Sequence, residues 1–332
     1  MGVIVVAFIA LVPASVQARG DGAGVAPIRP SSLAVSPEGA LLIADAARNQ
    51  ILERLSDGRF EVIAGSGARG FSGDGGQAVR ARLNEPAGMA VGADGTLFFA
   101  DALNNRVRAI SPNGVIRTIA GDGRGGWTRG GSRAVATPLL SPEAVAFGID
   151  GRLYIAASGY GEVLRLERNG RLTRIVGIRH AGGVVGVGGS AARASGDGVN
   201  ALAFDAAGDV FLAGFNTKAL LEITSGGKFR LPNGEIAFYP RGPSGLASDS
   251  HGSVYGMNTQ AIVRVTPSGP RTIYSFSGLK VRGITGFLPN GLAVSRSGVI
   301  YTDTAEGNGW ANGSAIVALE GPRRTLRVLW QR

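Results

Sequence analysis

A chain of 332 residues without a single cysteine excludes a disulfide scaffold, a thiolate metal centre and lipid attachment through cysteine. Its 54 glycines and 44% hydrophobic residues, with no collagen-like period and no charged or Pro/Ser-rich linker, suit one large unit of short strands joined by tight turns. The formal charge of +10 comes almost wholly from arginine, since Lys218, Lys228 and Lys280 are the only lysines; such a surface attracts phosphate-bearing polymers, yet an Ala/Gly/Arg-rich composition gives the same balance with no partner at all.

The chain begins with an apolar run, VIVVAFIALV at residues 3–12, followed by Pro13 and by Val16 and Ala18 as small residues at the −3 and −1 positions of a cut. This pattern predicts a signal peptide over residues 1–18, although the basic start of such peptides is missing, and an uncleaved anchor is the alternative. A short segment, residues 19–30, precedes the folded unit at 31–332, and no later run is long enough to span a membrane as a helix.

Behind the β-like run FEVIA comes GSGARG, residues 65–70, a literal G-x-G-x-x-G. A dinucleotide fingerprint needs a helix to follow, and FSGDGGQAV does not start one. The spelling recurs as GDGRGG at 121–126, 56 residues on, so the motif is periodic: glycines that end an outer strand and open a link through backbone of positive φ.

Six segments share one plan: residues 31–45, 87–101, 143–157, 200–214, 244–258 and 290–303, with turn glycines Gly39, Gly95, Gly151, Gly208, Gly252 and Gly298. Each reads as strand, tight turn, strand, and two further short runs follow, as in RVRAIS and VIRTIAG. Four alternating strands repeated six times cannot bury both faces singly, so they stack around an axis. The expected fold is all-β, a six-bladed β-propeller with four antiparallel strands per blade, here called a to d from the axis outwards.

Strand order puts the short a–b and c–d turns at one end of the propeller. The b–c turns share the other end with the d–a links, three of which are long, at residues 65–86, 121–142 and 177–200. A ligand is expected there, on Arg69, Arg124, Trp127, Arg129, His180 and Trp310, because arginine beside exposed tryptophan suits sugars or anions. Solvated loop charges and packing aromatics are the competing interpretation. Asp45 and Asp101, with Asn49 and Asn105 four residues on, are expected to brace the b–c corners, and Asp74 and Asp197 are lone carboxylates that fall short of a calcium loop.

The first residues of the innermost strands, Ser31, Ala87, Glu143, Asn200, Ser244 and Asn290, should ring the mouth of the central channel. Glu143 and Asn200, from adjacent blades, offer oxygens to a hard cation such as Ca²⁺ or another divalent ion, with Asn290 opposite; polar packing around water is the alternative. Serine triads and paired carboxylates are unsupported: His180 and His251 fall at opposite ends, and Glu143 is the ring's sole acid.

The stretch GFSGDGGQAVRARLNEPAGMAVGADGTLFFADALNNRVRAI, residues 70–110, resembles the NHL-repeat family in its bacterial exported form. Repeats 3 to 5 depart from it by losing the Asp after strand b, and repeat 6 by the insertion TAEGNGWANG. The channel ring is similar to the axial metal site of gluconolactonase and senescence-marker-like propellers, except that Asn290 stands where an acid is expected. Streptogramin-lyase and amidating-lyase propellers look alike in architecture but depend on histidine. With the predicted signal peptide and the arginine-bearing long links, the expected function is a secreted or periplasmic binding or sensing module, monomeric, acting on a protein, a carbohydrate or an anionic envelope polymer, with nucleic acid disfavoured. The alternative is a metal-dependent lactonase or lyase using Glu143.

Overall fold

The computed structural model describes residues 28–128, 130–177, 184–196, 198–214, 220–232, 245–257, 260–266, 269–276, 291–305, 314–321 and 325–331. Blade 1 is β1 (Pro30–Val35), β2 (Leu41–Asp45), β3 (Gln50–Arg54) and β4 (Phe60–Ala64); blade 2 is β5 (Pro86–Val91), β6 (Leu97–Asp101), β7 (Arg106–Ile110) and β8 (Ile116–Ala120). Blade 3 is β9 (Pro142–Phe147), β10 (Leu153–Ala157), β11 (Glu162–Leu166) and β12 (Leu172–Val176). A two-stranded ribbon, β13 (Val184–Val185) with β14 (Ser195–Gly196), precedes blade 4, made of β15 (Val199–Phe204), β16 (Val210–Gly214), β17 (Leu221–Ile223) and β18 (Phe229–Arg230). Blade 5 is β19 (Gly245–Ser248), β20 (Val254–Met257), β21 (Ala261–Arg264) and β22 (Arg271–Ser275), and blade 6 is β23 (Leu292–Val294), β24 (Ile300–Ala305), β25 (Ser314–Glu320) and β26 (Thr325–Gln331).

Each blade is a sheet of four consecutive antiparallel strands, and the described helical pieces are single 3₁₀ turns of three residues. The fold expected from the repeats is therefore the one observed, and the phosphate-cradle interpretation of GSGARG fails for want of a helix. Gly65 and Gly121 carry φ of +91° and +86° directly after β4 and β8.

Strand alternation explains the stacking. In β6, Leu97 and Phe99 face blade 1 while Phe98 faces blade 3, where its ring meets Phe147 edge-on at 5.3 Å. Both faces are thus apolar, and a separate buried cluster fills each of the six interfaces between neighbouring blades. The ring closes where Ile28, Leu33 and Ile43 pack with Ala293 and Ile316, and the sixth sheet is complete with its own four strands. Near the axis the innermost strands touch backbone to backbone: a Cβ on Gly88 would lie 2.5 Å from the Ala144 Cα.

An acid at or near the end of strand b braces its own blade in blades 1, 2 and 6. Asp45 Oδ1 accepts from Arg29 N at 3.2 Å, Asp101 Oδ1 from Asn84 N at 2.7 Å, and Asp303 Oδ1 from Gly291 N at 2.6 Å, each time fixing the chain just before or at the start of strand a. Blade 4 lacks the acid because backbone fills its space: a Cβ at Gly214 would sit 2.4 Å from the Gly198 carbonyl oxygen. Asn49 and Asn105 adopt left-handed backbone, and their Oδ1 atoms accept from Glu85 N (3.0 Å) and Ser141 N (3.1 Å), tying each corner to the next blade.

Candidate ligand-binding face and axial channel

The three long links do more than cross the end of the propeller. Each docks on the c–d turn of the following blade through one short antiparallel bridge: Gln77 with Val115, Arg133 with Arg171, and Ser190 with Lys228. Ala78 donates to the Gly114 carbonyl at 2.8 Å and accepts from Gly65 at 2.9 Å; Ala134 repeats this with Gly170 (2.8 Å) and Gly121 (2.9 Å). The links therefore protect part of the outer edges of blades 2 to 4. The expectation that all their residues share one end with the b–c turns is corrected: the starts of the links do, whereas Arg80, Arg133 and Arg193 stand at the docked part.

At the start of the first two links an aromatic ring lies under an arginine of the next blade. The Arg106 guanidinium carbon is 3.7 Å from the Phe71 ring centre, and that of Arg174 is 4.2 Å from the Trp127 ring. Trp127 also meets Tyr160, in the b–c turn of blade 3, edge-on at 5.8 Å.

The residue after each aromatic is gripped by a buried charged group. In blade 2, Arg108, fully buried, bonds the Ser72 carbonyl (2.8 Å), the Arg82 carbonyl (3.2 Å) and Asp74 Oδ1 (2.7 Å), and lies 3.5 Å from Asp101 Oδ2. Burial pushes the Asp101 carboxyl above its ordinary range, while bonds from Asn104 and Asn84 and the Arg108 charge pull it back. In blade 3, buried Glu162 accepts from Thr128 N (3.3 Å) and Arg174 Nε (3.0 Å), and burial likewise raises its carboxyl.

Among the residues expected to bind a ligand, Arg124 is 77% exposed but already clasps Asp122 Oδ2 at 2.6 Å, holding that carboxyl below its usual range. Arg69 is exposed, with its Nε donating to Asn84 Oδ1 at 2.8 Å. Trp127 is half-buried rather than free, because Arg174 and Tyr160 cover it. Arg129, His180 and Trp310 lie outside the described residues. Sequence reasoning missed Phe71 and Leu103, apolar side chains 41% and 42% exposed at this same end. Their signal was present, since both are large apolar residues in link or turn segments rather than in strands.

The channel is lined by the innermost strands, with a volume of about 270 Å³. A β-bulge falls at the same point of β1, β9 and β15, at Ser31, Glu143 and Asn200, and turns these residues towards the channel lining. In β5 the irregularity covers Ala87 and Gly88, and of these Gly88 lines the channel, while Ala87 packs with Ala100 and Ala102. Ser31 is committed to the Pro86 carbonyl at 2.5 Å. Glu143 Oε1 accepts from the Ser141 hydroxyl at 2.7 Å; burial pushes its carboxyl up, that bond lowers it, and the nearby Glu85 charge adds to the rise.

Asn200 Oδ1 is buried with no hydrogen-bond partner among the described residues. Ser244 and Asn290 lie outside them. One carboxylate and one amide fall short of the six or more oxygens that a hard dication takes, and the described residues hold no group of three His, Asp or Glu side chains. The described donors alone do not fit a protein-held cation.

Residues 53–129 match the family model of the Teneurin NHL domain. That stretch runs from strand c of blade 1 to the start of the second link, and so contains Phe71, Asp74, Asp101, Arg108 and Trp127. Mouse (Mus musculus) Teneurin-1 is 37% identical over a 95-residue alignment that covers 25% of this chain and 4% of that protein, so the chain spans only a small part of the curated relatives it matches. Over the whole length the likeness is one of fold. A putative gluconolactonase superposes with a TM-score of 0.57 at 17% identity, covering 95% of this chain and 99% of that one; a streptogramin B lyase does so with 0.56 at 14%, covering 92% and 84%. The chain is a six-bladed β-propeller, and its stretch 53–129 is similar to the teneurin NHL domain.

Proposed function

We propose that this chain is an exported binding module whose ligand, a carbohydrate, a protein or an anionic envelope polymer, is held at the end formed by the b–c turns and the link starts. The observation that carries this is the exposure of Phe71 and Leu103 at an end that also presents Arg124 and two arginine-capped rings, Phe71 itself and Trp127. Apolar and cationic groups displayed together on a rigid rim suit recognition better than turnover. The apolar run at residues 3–12 supports export, and location in the periplasm or outside the cell belongs to the same proposal.

The test is binding to a glycan array followed by titration of the glycans retained, using the wild type and the variant Leu103→Ser/Arg124→Ser. Both side chains are exposed, so the variant should lose no more than about 1 kcal/mol of stability while its affinity falls about tenfold or more. Equal binding by the two proteins would remove this face as the site.

A second interpretation, a metal-dependent lactonase or lyase in the channel, is favoured by one observation, the orphaned Asn200 Oδ1 beside a bulge-directed Glu143. It requires further oxygen donors beyond those that the described residues supply.

A further inference from the structure

The docked part of the links carries a second, independent feature. The bridge between Arg133 and Arg171 sets two arginines directly opposite one another, an arrangement that opposes folding unless another interaction offsets it. The neighbouring docks repeat the sign of charge: Arg80 and Arg117 at blade 2, Arg193 and Lys228 at blade 4. All six side chains are exposed, and none forms a salt bridge among the described residues. Asp94 feels Arg117 without pairing with it. Elsewhere some arginines are matched locally, as Arg59 is by Asp57 at 2.6 Å and Arg165 by Glu167 at 2.9 Å, while Arg264 and Arg296 are exposed and have no salt bridge among the described residues, but neither belongs to a dock. Each of three successive docks around the outer wall of the propeller thus carries two exposed cations without a carboxylate partner among the described residues, at positions that differ from dock to dock; of these six, the Arg171 guanidinium also donates to the Gly131 carbonyl.

The geometry points to this wall as a docking track for a linear acidic polysaccharide, its carboxylates or sulfates taken in turn by the guanidinium forks. Three considerations select this occupant. Cations repeated once per blade around a curved wall match a flexible chain with charges along its length, whereas a flat bilayer would touch one sector. The exposed large apolar side chains at the docks are Val135 and Val187, so no ring is offered there for stacking nucleobases. Arginine dominates, and its planar fork fits carboxylate bidentately. The track goes beyond the face proposed above and does not depend on it.

Polygalacturonate is the probe, titrated into the purified chain at about 0.15 M salt, where surface charges more than roughly 8 Å apart are screened and diffuse attraction is small. The wild type should bind, and Arg133→Glu/Arg171→Glu should weaken binding about tenfold or more. The charge-matched control Arg264→Glu/Arg296→Glu, on blades 5 and 6, should stay within about twofold of wild type, and the face variant Leu103→Ser/Arg124→Ser should bind normally. Should the double charge reversal melt early, Arg133→Gln/Arg171→Gln, which relieves the like-charge pair, provides the same comparison in a folded protein.

Equal losses in the dock variant and the control would overturn the proposal, reducing it to net charge. So would absent binding by the wild type, or tighter, equally dock-dependent binding of oligo(dT) or of phosphatidylglycerol vesicles.

Discussion

Replacing Arg108 with alanine should cost about 3–5 kcal/mol in urea unfolding at pH 7, the range for breaking a buried ion pair by removing one partner. The guanidinium joins Asp101, which has no exposed surface, to the link through the Ser72 and Arg82 carbonyls and Asp74. Without it Asp101 is left as a buried carboxylate whose folded-state proton affinity, already raised by burial, rises further. A group whose folded pKa exceeds its unfolded value weakens the fold as pH rises through that interval. The deficit of the variant should therefore shrink as pH falls to about 4 and Asp101 takes up a proton. Arg108→Lys keeps the charge without the fork and should fall between the two. A constant deficit across pH would mean that the loss is packing alone.

The second large effect is expected from Gly121→Ala. The residue has φ of +86°, and a Cβ there would stand 2.2 Å from the Asn105 carbonyl oxygen, inside any tolerable contact. Either the left-handed backbone or the turn that ties blade 2 to blade 3 must move, at about 3 kcal/mol or more. Gly130→Ala, nine residues further along the same link, meets nothing within 4 Å and has no positive φ, so it should change stability by no more than about 0.5 kcal/mol. Equal effects at the two glycines, measured by the same unfolding curves, would mean that the corner is not under this constraint.

The blade count was legible because each blade repeats one glycine-marked turn between two alternating strands, and alternation states which residues face a neighbour. Backbone bridges such as Gln77 with Val115 impose no side-chain pattern, so the docking of the links had no signature. Arg108 illustrates a different limit. In RVRAI it alternates with valine and alanine as a solvent-facing residue would, and its main partner Asp74 stands 34 positions earlier in a glycine-rich link. The same limit hid the burial of Trp127, whose cover comes from Arg174 and Tyr160 of the next blade. The channel positions of Glu143 and Asn200 could be aligned from sequence, but the bulges that turn them towards the channel could not, since a bulge is a property of the pairing with strand b.

Function at the outer surface, rather than in the channel, is what most needs a direct measurement. Calorimetric titration of Ca²⁺, Mg²⁺ and Mn²⁺ into the purified wild type, with Glu143→Gln alongside, supplies it. The expected result is a flat trace for both proteins, with Glu143 acting as a buried carboxyl bonded by Ser141. Saturable binding by the wild type that Glu143→Gln abolishes would contradict it and move the site to the channel mouth.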